Sequence, residues 1–360
     1  MGRMRATVLA VAIGIGAVAA ALPASAPSVG RSDPTPEAEW VLVTQTPHEV
    51  ELALASHVER TFVNPYLAAF GAIGLSATAQ LTGDPRYAEA AWRQAEWHAS
   101  AMDANGYVTD FHVVPGGLVS TGSADSTDAY AAMFVLTVDA AQRAAPDATR
   151  LDALVPKVRL AVDAMRSTQR AGGLTGATPD WDVAYLMNDA EVFAGLRAAA
   201  RLGRVVRDRN LVAEATGAAR RLQRGFDRLW NPKVDAYDWA VHADGVREPT
   251  NWAQLYPDAV SQVWAVRYGL VRGPRAAALV RKFLRTHPSA HDPNSVDLID
   301  GALGLTGYWP GLGLALASVD PGAPTRFLAG TRGATPTTGA AWPYSVQTAG
   351  DILVLIAAGA

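Results

Sequence analysis

The chain has 360 residues, 49% of them hydrophobic, and no cysteine. That apolar content excludes a disordered chain, and the missing cysteine excludes a disulfide framework or a lipidated-cysteine anchor. A formal net charge of −3, with Lys and Arg scattered among Asp and Glu, leaves no basic face for nucleic acid.

Residues 1–26 run from Arg3 and Arg5 through an uncharged stretch, Ala6 to Leu22, to Ala24-Ser25-Ala26. This is the order of a signal peptide with an A-x-A cleavage site. The expectation is a secreted or cell-envelope protein that meets a membrane only through this segment, if it stays uncleaved. Residues 27–46, rich in Pro, Ser and charge, read as a flexible leader, and residues 47–360 as a single folded domain.

Beyond residue 47 the apolar residues recur at helical spacing. They predict helices near 47–61, 65–82, 84–102, 126–144, 150–170, 182–203, 207–230, 257–271, 273–286, 297–318 and 344–358. Only "GYVTDFHVV" (106–114) and "AYDWAVHA" (236–243) alternate enough for small hairpin arms, so the chain reads as all-α with short β excursions. Very short turns such as "LTGDPRY" (81–87), "LGRVVRD" (202–208) and "VRGPR" (271–275) force antiparallel helix pairs. Asp128-Ala129, Asp189-Ala190 and Asp258-Ala259 recur 61 and 69 residues apart near the starts of successive pairs, the spacing of stacked hairpins. Inner helices apolar around much of their circumference, such as "AYAAMFVLTVDAA", would be ringed by amphipathic partners.

The hairpin repeat, with "DSTDAYAAMFVL" (125–136), "DWDVAYLMNDAEVFAGL" (180–196) and "NWAQLYPDAVSQVW" (251–264), resembles the (α/α)6 toroid of many glycoside hydrolases, polysaccharide lyases and sugar epimerases. The resemblance covers about residues 47–360. "SADSTDAYA" is loosely similar to the helix start of family 8 glycoside hydrolases, with its acids three apart rather than two and no N-terminal Glu-Gly acid motif elsewhere. The resemblance implies that the inner-helix N-termini converge on one face, so that Asp125, Asp128, Asp182, Asp189 and Asp258 share a cleft.

An aspartate at a helix start either caps free backbone N–H groups or does chemistry. Asp84 in "GDPRY" is a cap followed by a first-turn proline. Asp128 and Asp189 fall within apolar stretches, where a carboxylate is costly unless paired or used. Glycoside hydrolysis needs two carboxyls across the scissile bond, and the candidates are one from Asp125 and Asp128, one from Asp182 and Asp189, and Asp258 as a third. Aromatic platforms bind sugar faces, and Trp181, Trp252, Tyr256, Trp309 and Tyr344, with His112, are the substrate-binding candidates. Trp92, Trp97 and Trp230 sit on amphipathic helices and read as packing.

The histidines show no metal-ligand spacing, so no metal and no cofactor is expected. The composite expectation is a monomeric, secreted glycoside hydrolase acting on a poly- or oligosaccharide, inverting by the resemblance, with no nucleic-acid partner. A lyase or epimerase on the same fold, and a noncatalytic glycan-binding envelope protein, remain open alternatives.

Overall fold

Helix boundaries in this chain follow its capping residues. Asn64, Asp84, Asp147 and Asp208 accept from backbone N–H groups two or three residues on, and each begins a helix. The computed structural model describes residues 32–45, 53–54, 60–295, 298–300, 305–306, 308–334 and 345–359. The expected signal segment, most of the predicted 47–61 helix, and Tyr344 lie outside these residues.

In chain order the helices are α1 (Thr35–Val43), α2 (Pro65–Thr82), α3 (Pro85–Ala101), α4 (Thr127–Ala144), α5 (Ala148–Ser167), α6 (Leu186–Val205), α7 (Arg209–Asp227), α8 (Val260–Arg267), α9 (Gly273–Thr286), α10 (Leu312–Leu316), α11 (Ala323–Ala334) and α12 (Val346–Ala357). The even-numbered helices form the inner ring: α12 packs on α2, α2 on α4, α4 on α6, α6 on α8 and α8 on α10. The Gly311 N–H donates to Asp351 Oδ2 (3.1 Å), tying the start of α10 back to α12. Each inner helix carries an outer partner: α3 on α2, α5 on α4, α7 on α6, α9 on α8, α11 on α10 and α1 on α12. Six hairpins therefore close into an (α/α)6 toroid. The sixth is completed by the N-terminal helix.

Within the expected flexible leader, 27–46, the described residues 32–45 carry α1, while residues 27–31 and 46 lie outside the described residues. Residues 35–43 are helical, and Ala38 and Val41 are fully buried against the core. Glu37 pairs with Arg332 (2.7 Å) near the end of α11. The Pro and charge content marks a helix start and an outer face rather than a linker.

Close packing within the ring relies on small residues. A Cβ on Gly74 would lie 2.6 Å from the Gly350 backbone, so α2 and α12 meet without side chains between them. Among the described residues no helix is long and apolar enough to cross a membrane.

The strands are short: β1 (Phe62–Val63), β2 (Phe111–Val114), β3 (Gly117–Ser120), β4 (Ala184–Tyr185), β5 (Trp230–Asn231), β6 (Ala236–Tyr237), β7 (Ala240–Val241), β8 (Arg247–Glu248), β9 (Leu298–Asp300) and β10 (Leu305–Thr306). The strands pair in the orders β1-β2-β3, β4-β7-β8, β5-β6 and β9-β10, all antiparallel. Two of these sheets adjoin inner-helix starts. β4 leads directly into α6, so this helix begins at Leu186 rather than at 182. Within the predicted 297–318 helix the described residues form β9, β10 and the five-residue α10, which follows Pro310; residues 297, 301–304 and 307 lie outside the described residues.

Candidate active site

The N-termini of α4 and α6 lack side-chain caps. Loop carbonyls take that role: Ala177 O accepts from Thr127 N–H (2.6 Å), and Trp239 O accepts from Leu186 N–H (2.9 Å). The acids in these first turns are thereby largely released from capping. The same hydrogen bonds draw the connecting loops over one end of the inner ring.

Asp110 follows α3, and its N–H donates to Ser123 O (2.9 Å) while its own carbonyl accepts from Thr121 N–H (2.8 Å). This extends the β2-β3 hairpin and sets Asp110 beside the turn that carries Asp125. Asp125 lines a cavity of about 270 Å³ together with Tyr185, Asn188, Trp239, Tyr256 and Ser261. The β4-β7 pairing brings Tyr185 next to Trp239, stacked with ring centres 6.0 Å apart. Tyr256 stacks on Trp309 at 6.3 Å. The cavity thus has aromatic walls and a carboxyl.

Asp125 is open to solvent at the mouth, yet the surrounding wall desolvates its carboxyl and raises its pKa. Asp110 is further enclosed, and burial pushes it up to about 6. A hydrogen bond from Tyr130 Oη (3.0 Å) opposes that rise, and the charge of Asp125 adds to it. Tyr130 Oη itself accepts from Asn64 Nδ2 (2.8 Å), which fixes the direction of the chain. Both neighbouring acids are thus pushed up by desolvation, and the charge of Asp125 adds to the rise at Asp110.

Beneath the cavity lies a second, fully buried set. Asp128 Oδ1 accepts from Asn188 Nδ2 (3.0 Å) and from Ala129 N–H (2.7 Å), and Oδ2 accepts from Thr175 Oγ1 (2.6 Å). Thr175 Oγ1 is also 3.1 Å from Asp189 Oδ1, which accepts from Thr175 N–H (2.9 Å). A hydroxyl has one hydrogen, so both Thr175 contacts are satisfied only when one of the two carboxyls holds a proton. Asp189 Oδ2 is buried with no partner, which a neutral carboxylic acid tolerates far better than a carboxylate. Burial drives both carboxyls well above the ordinary range, Asp189 further than Asp128.

Glu191, one turn-face away, is pushed up to about 8 by burial although Tyr66 Oη (2.6 Å) and Trp264 Nε1 (2.9 Å) both donate to it. Deeper still, Arg267 pairs with Asp351 and lies 4.5 Å over the Trp264 ring. This pair occupies the ring interior between α8 and α12.

The other predicted site residues fall elsewhere. Asp182 is exposed and held by Arg170, whose guanidinium also grips Val241 O (3.1 Å) and His242 O (3.2 Å); it clamps a loop and does not line the cavity. Asp258 is buried and accepts from Asn251 N–H (2.7 Å), pinning the connection into α8. Trp252 is buried away from the cavity, with its Nε1 donating to Val234 O (3.1 Å) and the Lys282 ammonium 4.8 Å over its ring. Trp309 backs Tyr256 and is 5% exposed. Trp181 is exposed at the rim, where its Nε1 donates to Tyr185 Oη (3.1 Å). His112 is exposed on β2 against Phe62 and is not part of the cavity wall.

Tyr185, Asn188 and Ser261 join the site without having been singled out in the sequence. Asn188 carries the clearest signal of the three, a polar side chain immediately before Asp189 in an otherwise apolar helix start. Among the described residues no three His, Cys, Asp or Glu side chains gather as a metal-ligand set.

A toroid of six helical hairpins is an architecture also found among solved glycoside hydrolases. The chain is similar in fold to the GH63 mannosylglycerate hydrolase of Thermus thermophilus, solved with glucose, at a TM-score of 0.61 and 12% identity over 89% of this chain and 98% of that one. An inactive double-aspartate variant of the GH76A α-1,6-mannanase of Salegentibacter sp., solved with α-1,6-mannotriose, matches at 0.56 and 12% over 91% and 97%. A rhamnosidase from Klebsiella oxytoca with rhamnose bound matches at 0.57 and 16% over 84% of this chain but only 56% of its own. At these identities the likeness shows the fold. No protein-family model and no curated protein sequence matches the chain.

Proposed function

We propose that the protein is a glycoside hydrolase that cleaves a poly- or oligosaccharide in the cavity beside Asp125. The observation that carries this reading is a solvent-open carboxyl in a cavity walled by two aromatic stacks, with a second carboxyl, Asp110, behind the lining and close enough for the charge of Asp125 to add to its raised pKa. Sugar rings present C–H faces to Tyr185, Trp239 and Tyr256, and their hydroxyls meet Asn188 and Ser261. Asp110 supplies the proton to the leaving oxygen, and Asp125 activates the water that attacks the anomeric carbon. Inversion of configuration is part of the proposal, as the fold resemblance implies.

The experiment is hydrolysis of a panel of α-linked and β-linked glycans, followed by proton NMR of the first product formed. Release of one anomer opposite to that of the substrate supports the reading. Retention overturns the inverting step, and no release from any glycan overturns the activity.

Export through residues 1–26 belongs to the same proposal, on the order of Arg3 and Arg5, the uncharged stretch and Ala24-Ser25-Ala26; N-terminal sequencing of the mature protein tests it. A second reading, noncatalytic glycan binding, is favoured by one observation: Asp125 is the single carboxylate among the described residues that line the cavity. Glycan binding without turnover would establish that reading.

A further inference from the structure

Nine arginines and three acids fall between residues 197 and 228, in a chain whose net charge is −3. The turn from α6 to α7 folds this segment around a groove of about 660 Å³ lined by Arg204, Arg207, Arg209 and Arg220 over a floor that includes Val212 and Thr216. All four arginines are exposed, and among the described residues none of their guanidinium groups has an ion pair or hydrogen bond. The one acid in the wall is already engaged. Asp208 accepts from Leu211 N–H (3.0 Å) and pairs with Arg159.

Several arginines elsewhere are ion-paired. Arg86 meets Asp84 and Glu39, Arg150 meets Glu89 and Glu96, and Arg143 and Arg201 share Asp139. Beside the groove, Arg197 has its pKa lowered by burial and by the charges of Arg272, Arg201 and Arg204. Positive charge has been concentrated at this edge without internal compensation.

The groove is also remote from the cavity. Asn188 lies in the first turn of α6 and Arg204 in its last, and a helix of 20 residues is about 30 Å long.

We propose that this groove binds a phosphate ester. Several guanidinium forks around one open recess match the oxygens of a dianion, and Arg pairs with phosphate bidentately where a lone carboxylate would leave most of the forks unused. Two sources carry that chemistry: the headgroup of an anionic phospholipid and a soluble phosphorylated saccharide.

The full chain is titrated calorimetrically with inorganic phosphate at low ionic strength, and pelleted with vesicles of phosphatidylglycerol or of phosphatidylcholine. The expected result is saturable phosphate binding that weakens about tenfold or more in Arg207→Gln/Arg209→Gln. Arg220→Gln, on a different element, gives a second weakened variant, while Arg86→Gln binds as the parent does. Thermal unfolding is unchanged in each. Pelleting with phosphatidylglycerol alone, lost in the same variants, assigns the lipid source. Phosphate binding without pelleting assigns the soluble ester. Absence of both kinds of binding, equal loss in Arg86→Gln, or binding of DNA in place of phosphate overturns the proposal.

Discussion

Asp125 and Asp128 are three positions apart and do different work. Asp128 turns inward to Thr175 and Asn188, and Asp125 turns out into the cavity wall. Asp125→Asn is expected to lower kcat by about 10²- to 10⁴-fold while the melting temperature stays within about 2 °C, because the side chain is solvent-open and has no buried partner to orphan. In the proposed mechanism Asp110 acts in its protonated form, so kcat/KM should fall as pH rises through about 6, and that limb should vanish in Asp110→Asn. A profile unchanged by the substitution would remove Asp110 from the mechanism. Asp128, Asp189 and Glu191 all have folded-state pKa values above their unfolded ones, so their neutral forms stabilise the fold most at low pH. That contribution is lost as pH rises toward 8. Urea unfolding at pH 5 and pH 8.5 should show the parent losing on the order of 1–3 kcal/mol more than Asp189→Asn. Periodicity alone shows that Asp128 and Asp189 are interior; it cannot show that they share Thr175, since that contact spans 47 residues of sequence.

The outer helices are the more legible elements. Asp84, Asp147 and Asp208 announce α3, α5 and α7 because their caps are written in local sequence. Of the inner helices, α4 and α6 begin on loop carbonyls contributed from distant residues, which local sequence does not reveal, and α6 accordingly starts at Leu186, several positions beyond its expected start. The N-terminal helix is hidden for a related reason: its burial depends on α12, more than 300 residues later. Val41→Asp is expected to cost about 2–4 kcal/mol by placing an unpaired carboxylate in that interface, measured by denaturant unfolding. Where α2 and α12 meet, Gly350→Ala would set a Cβ 2.1 Å from Phe70 O. The helices must separate, with an expected loss of about 1–3 kcal/mol. An unchanged midpoint in urea would contradict the close approach.

At the level of the complete toroid, the (α/α)6 ring sorts chemistry between its two ends. Loops over the inner-helix N-termini hold acids and aromatics, and the short turn between α6 and α7 holds unpaired arginines. Asp128, Asp189 and Asp258 lie in the first turns of α4, α6 and the turn leading into α8, yet register does not determine which side chains face the cavity. That choice rests on the loops, whose hydrogen bonds set Asp110 beside the turn that carries Asp125, the single carboxylate lining the cavity among the described residues, while Asp182 is withdrawn to Arg170. Glycosidic hydrolysis by Asp125 in an aromatic-walled cavity is tested by the rate of reducing-end release from the best-bound glycan, measured side by side for the parent and Asp125→Asn at saturating substrate. Turnover by the parent, at least a hundredfold loss in the variant, and glycan affinity retained within about threefold are expected. Equal rates in the two proteins, or glycan binding with no release by either, would contradict that assignment.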